Sequence, residues 1–243
     1  MVYNYRLALR NLLFPGHCRL CGNATRGGPD LCQSCHRDLP WLGSVCSRCA
    51  HPLYASDADV RCGHCQKHPP AFDRTTALFH YCPPVDHLIK CFKFAEELQV
   101  GSLLSGLLAA KLAERRNDLP GLLLPVPLHP ARLRSRGFNQ ATEIARHVGR
   151  TLGIKLDYRL CRRKRNTEAQ SLLSPTARRL NLRNAFAVRH PLQASHVAII
   201  DDVMTTGHTS NELARVLKRA GAVQVEVWVI ARAGGGPGGT GYR

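Results

Sequence analysis

The run VAIIDDVMTTGHTS, from Val197 to Ser210, places two adjacent carboxylates beside a cluster of hydroxyls and one glycine. Each part has a distinct chemical use. Asp201 and Asp202 can accept hydrogen bonds from two vicinal ribose hydroxyls, or support Mg²⁺ directly or through water. Thr205, Thr206, Gly207 and Thr209 form a small polar loop at the start of a helix. Their hydroxyls and backbone N–H groups can surround a phosphate, with the helix N-terminus adding a favourable field. Gly207 lets the backbone approach without a Cβ in the way. Carboxylates next to a phosphate loop repel an anion unless a sugar lies between them, so the order of these groups points to a ribose phosphate.

A second chemistry lies near the N-terminus. Eight of the eleven cysteines form four C-x-x-C pairs: Cys18/Cys21, Cys32/Cys35, Cys46/Cys49 and Cys62/Cys65. Such a pair presents two sulfurs from one tight turn, and two turns complete a tetrahedral Zn²⁺ site. Four pairs therefore predict two structural zinc ions. Sequential pairing puts Cys18, Cys21, Cys32 and Cys35 on one ion and Cys46, Cys49, Cys62 and Cys65 on the other; interleaved pairing stays open. Closed Cys₄ sets leave no coordination position for substrate. Cys82, Cys91 and Cys161 lack such partners and read as packed thiols.

The elements that must position these groups follow from hydrophobic periodicity. Residues 1–70 are rich in Gly, Pro, Asp and His, bury little core and need the metal for stability. Residues 71–232 read as an α/β domain. Strands are predicted at Thr75–Tyr81, Leu122–Val126, Val197–Ile200 and Val223–Ile230. Helices are predicted at Val85–Gln99, Gly101–Arg116, Asn139–Leu152, from Ser174-Pro175 to Leu182, and at Ser210–Ala220. Residues 233–243 are a Gly-rich tail expected to be disordered. The strand before Asp201 delivers the acidic pair to the C-terminal edge of a parallel sheet, where α/β folds place ligands.

Charge and composition narrow the function class. Of 243 residues, 34 are Lys or Arg and 17 Asp or Glu, a net charge of +17. That excess favours a polyanion: nucleic acid, a phosphorylated small molecule or an anionic membrane surface. No segment has the roughly 20 apolar residues needed to span a bilayer. Tyr5–Leu13 reads as a short helix packed on the protein, with membrane contact as the other reading. Eleven cysteines without an export signal imply a reducing compartment. The expected location is the cytoplasm, with a peripheral position at the inner membrane face as the alternative.

The strand–Asp-Asp–Thr-Thr-Gly-x-Thr order resembles the signature of type I phosphoribosyltransferases. That resemblance implies that Asp201 and Asp202 contact the ribose of phosphoribosyl pyrophosphate, that Thr205–Thr209 binds its 5′-phosphate, and that Mg²⁺ accompanies the ligand. The match extends further. Pro125–Pro130, the run Arg132–Gln140, then Asn166, Thr167, Gln170, Ser171, Arg178, Arg179, Asn181 and Phe186 occur in an order that resembles the ComF family, and Lys93 within Cys91-Phe-Lys-Phe94 also fits a family Lys-Phe pattern. The similarity covers about Phe14 to Ala231. It implies a double-zinc-ribbon-like N-terminus joined to a type I phosphoribosyltransferase fold, a mainly parallel sheet flanked by helices. It also implies a part in DNA uptake, natural transformation or use of DNA as a nutrient, alongside other DNA-uptake proteins.

Two basic regions complete the expected site. Arg132, Arg134 and Arg136 can hold a pyrophosphate group, because guanidinium donors match phosphate oxygens. Between Arg159 and Arg189 stand nine Lys or Arg residues and a single Glu, Glu168. There, Arg162, Arg163, Lys164 and Arg165 either close over pyrophosphate or line a track for single-stranded DNA. Phe138, Tyr158 and Phe186 are the nearby aromatics for base stacking. An active phosphoribosyltransferase with an unidentified acceptor is the alternative to a DNA-handling protein that keeps the nucleotide site.

Overall fold

In the computed structural model the described residues are 16–25, 30–53, 60–94, 97–164 and 184–234. The helix expected from Ser174-Pro175 to Leu182, the Tyr5–Leu13 segment, Arg165 and residues 235–243 of the tail lie outside them.

Five parallel strands form the central sheet: β3 (Arg74–His80), β4 (Leu122–Pro125), β5 (Lys155–Leu156), β8 (His196–Met204) and β9 (Gln224–Arg232). Their order is β3-β9-β8-β4-β5. Strand periodicity explains how one sheet serves two cores. Ala198 and Ile200 of β8, with Trp228 and Ile230 of β9, face one side. Val197 and Ile199, with Val225, Val227 and Val229, face the other. Both faces are buried, so these strands read as continuous apolar runs.

Three helices cover the first face: α3 (Val85–Phe94), α4 (Leu98–Ala113) and α6 (Gln140–Leu152). They contribute Ile89, Phe92, Leu104, Leu108, Ile144 and Val148 to its core. The second face is covered by α7 (His208–Arg219) through Leu213, Ala214 and Leu217. The result is an α/β architecture with a mainly parallel sheet between helical layers.

Asn139 caps α6 as expected, its Oδ1 accepting from Ala141 N at 3.1 Å. The stretch read as one helix, Val85–Gln99, instead ends as α3 at Phe94, and α4 opens at Leu98. A further helix, α5 (Pro130–Arg136), occupies what read as an arginine-rich loop. Its His129 N-cap and Pro130 at the first turn explain the start, and Gly137 at φ +75° explains the stop. β8 runs past Ile200 to Met204, because β9 stays paired with it through Met204↔Arg232. The acidic pair therefore sits inside the end of a strand. A small antiparallel pair, β6 (Cys161–Arg163) with β7 (Phe186–Val188), packs beside the second core.

At the opposite edge of the sheet, Glu226 is fully buried and receives two Arg115 hydrogen bonds at 2.8 and 3.0 Å. Burial alone would raise its carboxyl. The Arg115 and Trp228 donors outweigh that and hold it below the usual glutamate value. This closed network fastens the end of α4 to the sheet.

The cysteine region comprises two short strands, β1 (Gly16–His17) and β2 (Ala24–Thr25), and two short helices, α1 (Gln33–Arg37) and α2 (Gly63–Lys67). It does not pack by itself. Cys18, Leu31 and Leu39 join the first core of the α/β domain, and Cys46, Cys49 and Cys65 join the second. Among the described residues no helix is long and apolar enough to cross a membrane.

Candidate functional site

A cavity of about 310 Å³ opens at the C-terminal edge of the sheet. The loop after β8 forms one wall, with Thr205, Thr206, Gly207, His208 and Thr209 lining it. Gly207 takes φ +76° as the N-cap of α7. That left-handed backbone is what the glycine is for, since L side chains adopt it at a cost. Thr205 and Thr206 are exposed toward the opening. Thr206 Oγ1 lies 3.0 Å from His208 Nδ1, which fixes the hydroxyl beside the helix terminus.

Asp201 and Asp202 form the floor. Asp202 is buried, and its Oδ2 pairs with Lys93 Nζ at 2.7 Å. Each carboxylate also accepts from the next backbone amide, Asp202 N at 2.9 Å and Val203 N at 2.7 Å. These amides fix both side chains at the strand end. Desolvation, reinforced by the neighbouring Asp202 charge, pushes the Asp201 carboxyl up to about 7. Lys93 offsets only part of this.

The opposite wall is basic. Arg132 and Arg136 come from α5, and Arg163 from the end of β6. Arg163 is buried and lies over the Phe186 ring at 5.7 Å. Burial, with Arg132 adding repulsion, holds its guanidinium below the usual arginine value. Arg136 Nη1 donates to Gln140 Oε1 at 3.3 Å, fixing a buried amide at the cavity wall. The arrangement offers a cradle for one phosphate, two carboxylates for hydroxyl groups, and guanidinium donors for a second anionic group.

All six residues expected around the ribose phosphate line this cavity, as do Arg132, Arg136 and Arg163. Arg134 and Lys164 are exposed and outside its lining. Arg165 lies outside the described residues. Lys93 was noticed in sequence without a role; its pairing with Asp202 supplies one. Arg232 was not singled out, because nothing local to it signals its contacts.

The cysteines form two clusters in sequential pairing: Cys18, Cys21, Cys32 and Cys35, then Cys46, Cys49, Cys62 and Cys65. In each, the four sulfurs lie within 4.8 Å of one another. Sγ separations of 3.7 Å for Cys21–Cys32 and for Cys49–Cys62 match the edge of about 3.8 Å of a tetrahedron with Zn–S near 2.3 Å. Backbone amides point at sulfur, with Cys35 N to Cys32 Sγ at 3.5 Å and Cys62 N to Cys46 Sγ at 3.3 Å. The Cys49 thiol and nearby amides hold the Cys46 thiol below the usual cysteine value. Both clusters fit a structural zinc ion. Cys161 is a buried thiol that desolvation pushes up to about 12, outside the range of a reactive nucleophile.

Fold and site together define an α/β protein with a mainly parallel sheet that carries two Cys₄ clusters. Residues 9–66 match the double zinc ribbon domain family. The chain is 36% identical over 226 residues to the DNA utilization protein YhgH of Escherichia coli O157:H7, covering 91% of this chain and 99% of that one. It is 34% identical to competence protein F of Haemophilus influenzae, covering 89% and 96%. A purine phosphoribosyltransferase from Pyrococcus horikoshii aligns over 53% of this chain and 80% of its own, at 18% identity and a TM-score of 0.31. The chain belongs to the ComF family of competence and DNA-utilization proteins.

Proposed function

We propose that the chain binds a ribose phosphate of the phosphoribosyl pyrophosphate type and acts in DNA uptake, natural transformation or the use of DNA as a nutrient. The observation that carries this reading is the convergence of three chemistries on one cavity: the Thr205–Thr209 loop, the Asp201/Asp202 floor and the Arg132, Arg136 and Arg163 wall. The 5′-phosphate sits at the loop and the N-terminus of α7. The ribose hydroxyls face the two carboxylates. The diphosphate meets the arginines, with Arg134, Lys164 and Arg165 assigned to its approach or to DNA phosphates. The names of the similar proteins, DNA utilization protein and competence protein F, support the biological setting.

Mg²⁺ fits this site mainly through its ligand. Asp202 is already paired with Lys93 at 2.7 Å, which leaves Asp201 as the carboxylate to meet the ion, through water. When bound with the diphosphate, the ion neutralises charge on that group. Residues 1–70 serve as the zinc-bearing unit and residues 71–232 as the ribose-phosphate unit.

Handling of single-stranded DNA is the finer part of the proposal. Arg159, Arg162 and Lys164 are exposed, and Arg159 lies over the exposed Tyr158 ring at 5.3 Å. An exposed aromatic beside cations is the pattern of a stacking platform. The second reading is an active phosphoribosyltransferase. Two carboxylates near C1′ would stabilise the positive charge that develops there, and the arginine wall would hold the departing diphosphate.

Calorimetry with phosphoribosyl pyrophosphate, with and without Mg²⁺, tests the pocket. Wild type is expected to bind, and the Asp201→Asn/Asp202→Asn pair to bind at least ~10-fold more weakly. Absence of heat with wild type, or unchanged affinity in the double variant, defeats the ribose assignment. Diphosphate release on mixing with a panel of bases and nucleosides distinguishes the transferase from the binding protein.

A further inference from the structure

Arg232 joins two sites that the chain separates by more than a hundred residues. It ends β9, is 7% exposed, and donates from Nε to the carbonyl of Cys49 at 2.9 Å. Its Nη1 donates to the Met204 carbonyl at 3.2 Å and also to the carbonyls of Thr205 and Ala233. Cys49 belongs to the second cysteine cluster. Met204 and Thr205 open the phosphate loop. A guanidinium carries several donors in a rigid plane and stays charged, so it holds all these carbonyls in a fixed mutual geometry.

Packing runs along the same line. Phe72 and Met204 share a buried core with Cys46, Cys49 and Cys65. A Cβ built on Gly207 would lie 3.6 Å from Met204 Sδ and 3.9 Å from Phe72 Cζ, so this core abuts the loop itself. Ala71 N also donates to Asn211 Oδ1 in α7 at 2.7 Å. The first cluster packs into the other core, with Leu31, Leu39 and Phe79.

We propose that Arg232 is a positioning residue through which the second Cys₄ cluster sets the phosphate loop, so that metal in that cluster governs ribose-phosphate affinity. This rests on the ribose-phosphate reading of the cavity. The metal fixes the Cys46–Cys49 turn and hence the Cys49 carbonyl. If the turn loosens, the buried guanidinium loses an acceptor and shifts, carrying the Met204 and Thr205 carbonyls with it. Linkage makes the effect reciprocal: a phosphate ligand tightens metal binding in the second cluster and not in the first.

The test uses the full-length, zinc-loaded protein with phosphoribosyl pyrophosphate and inorganic phosphate as probes. Zinc transfer to a chromophoric chelator is followed in wild type with and without probe, a measurement that needs no variant. At equilibrium with the chelator, one of the two zinc ions is expected to be held about tenfold more tightly with probe bound. Calorimetry then compares Cys62→Ser with Cys32→Ser. The first is expected to weaken binding about tenfold and the second less than about twofold. In an Arg232→Met background, adding Cys62→Ser is expected to change nothing further, and Arg232→Lys to restore part of the coupling. Equal effects of Cys62→Ser and Cys32→Ser, coupling that persists in Arg232→Met, or zinc release indifferent to the probe overturns the proposal. Wild type that binds neither probe overturns the ribose-phosphate reading as well. Binding without any difference between the clusters overturns the coupling alone.

Discussion

Asp201 shows how a residue serves a site at the expense of the fold. Its carboxyl is pushed up to about 7 by desolvation and by Asp202, against about 4 in an unfolded chain. The unfolded state therefore gives up this proton first as pH rises. The penalty is absent below about pH 4, grows as pH rises through about 7, and is complete above it. Replacing Asp201 by Asn removes this desolvated charge. Asp201→Asn is expected to stabilise the protein at pH 8 by on the order of 1–3 kcal/mol, and by no more than about 0.5 kcal/mol at pH 4. Denaturant melts at the two pH values measure this, and equal effects at both would refute it. The same variant is expected to lose ribose-phosphate affinity, the trade-off expected where stability is given up for function. At this scale the sequence exposed what is local. The acidic pair, the threonines and the C-x-x-C pairs announce themselves by spacing. Lys93 gained a role only once α3 was seen against β8. Arg232 was invisible because its partner carbonyl, at Cys49, is 183 residues away.

The elements were legible where hydrophobic periodicity was strong. The two central strands are apolar on both faces, so their cores stood out, although their ends did not: β8 continues through two aspartates because β9 still pairs with it. The short helix α5 escaped notice because seven residues rich in arginine carry no apolar stripe, and only His129 and Pro130 mark its start. The junction between α3 and α4 was expected at residue 100 and falls earlier, between Phe94 and Leu98, since both sides are apolar at helical spacing. That junction depends on a close approach. A Cβ on Gly101 of α4 would lie 2.4 Å from the Phe92 ring of α3. Gly101→Ala is thus expected to destabilise the fold by about 1–3 kcal/mol through overpacking. The readout is a lower denaturation midpoint with an unchanged m-value. Because Lys93 follows Phe92 on α3 and pairs with Asp202, the same variant is expected to weaken ribose-phosphate binding; unchanged stability would show that the ring moves aside freely.

At the scale of the whole molecule, composition and order announced a zinc-bearing segment and an α/β domain, but not how they share their interiors. Each Cys₄ cluster contributes to a different core of the same sheet. That division depends on which sheet face each segment covers, and no window of sequence records it. The net charge of +17 is likewise a total without a place until the fold distributes it. The structure concentrates part of it where β6 meets β7. Arg189 N donates to the Leu160 carbonyl at 2.8 Å, which brings Arg189 to the same end of the hairpin as Arg159, with Arg162 paired to Ala187. All three arginines are exposed. A phosphate backbone bound there releases counterions, so affinity for single-stranded DNA falls with salt at a slope of about −0.7 per phosphate neutralised. Reversing Arg159, Arg162 and Arg189 to Glu is expected to flatten that slope by at least ~2. None of the three lines the cavity, so phosphoribosyl pyrophosphate should still bind to the triple variant. Fluorescence anisotropy of a labelled oligonucleotide across a salt series, beside calorimetry with the small ligand, separates the two surfaces. A slope that the triple variant leaves unchanged would refute a DNA track at this strand pair.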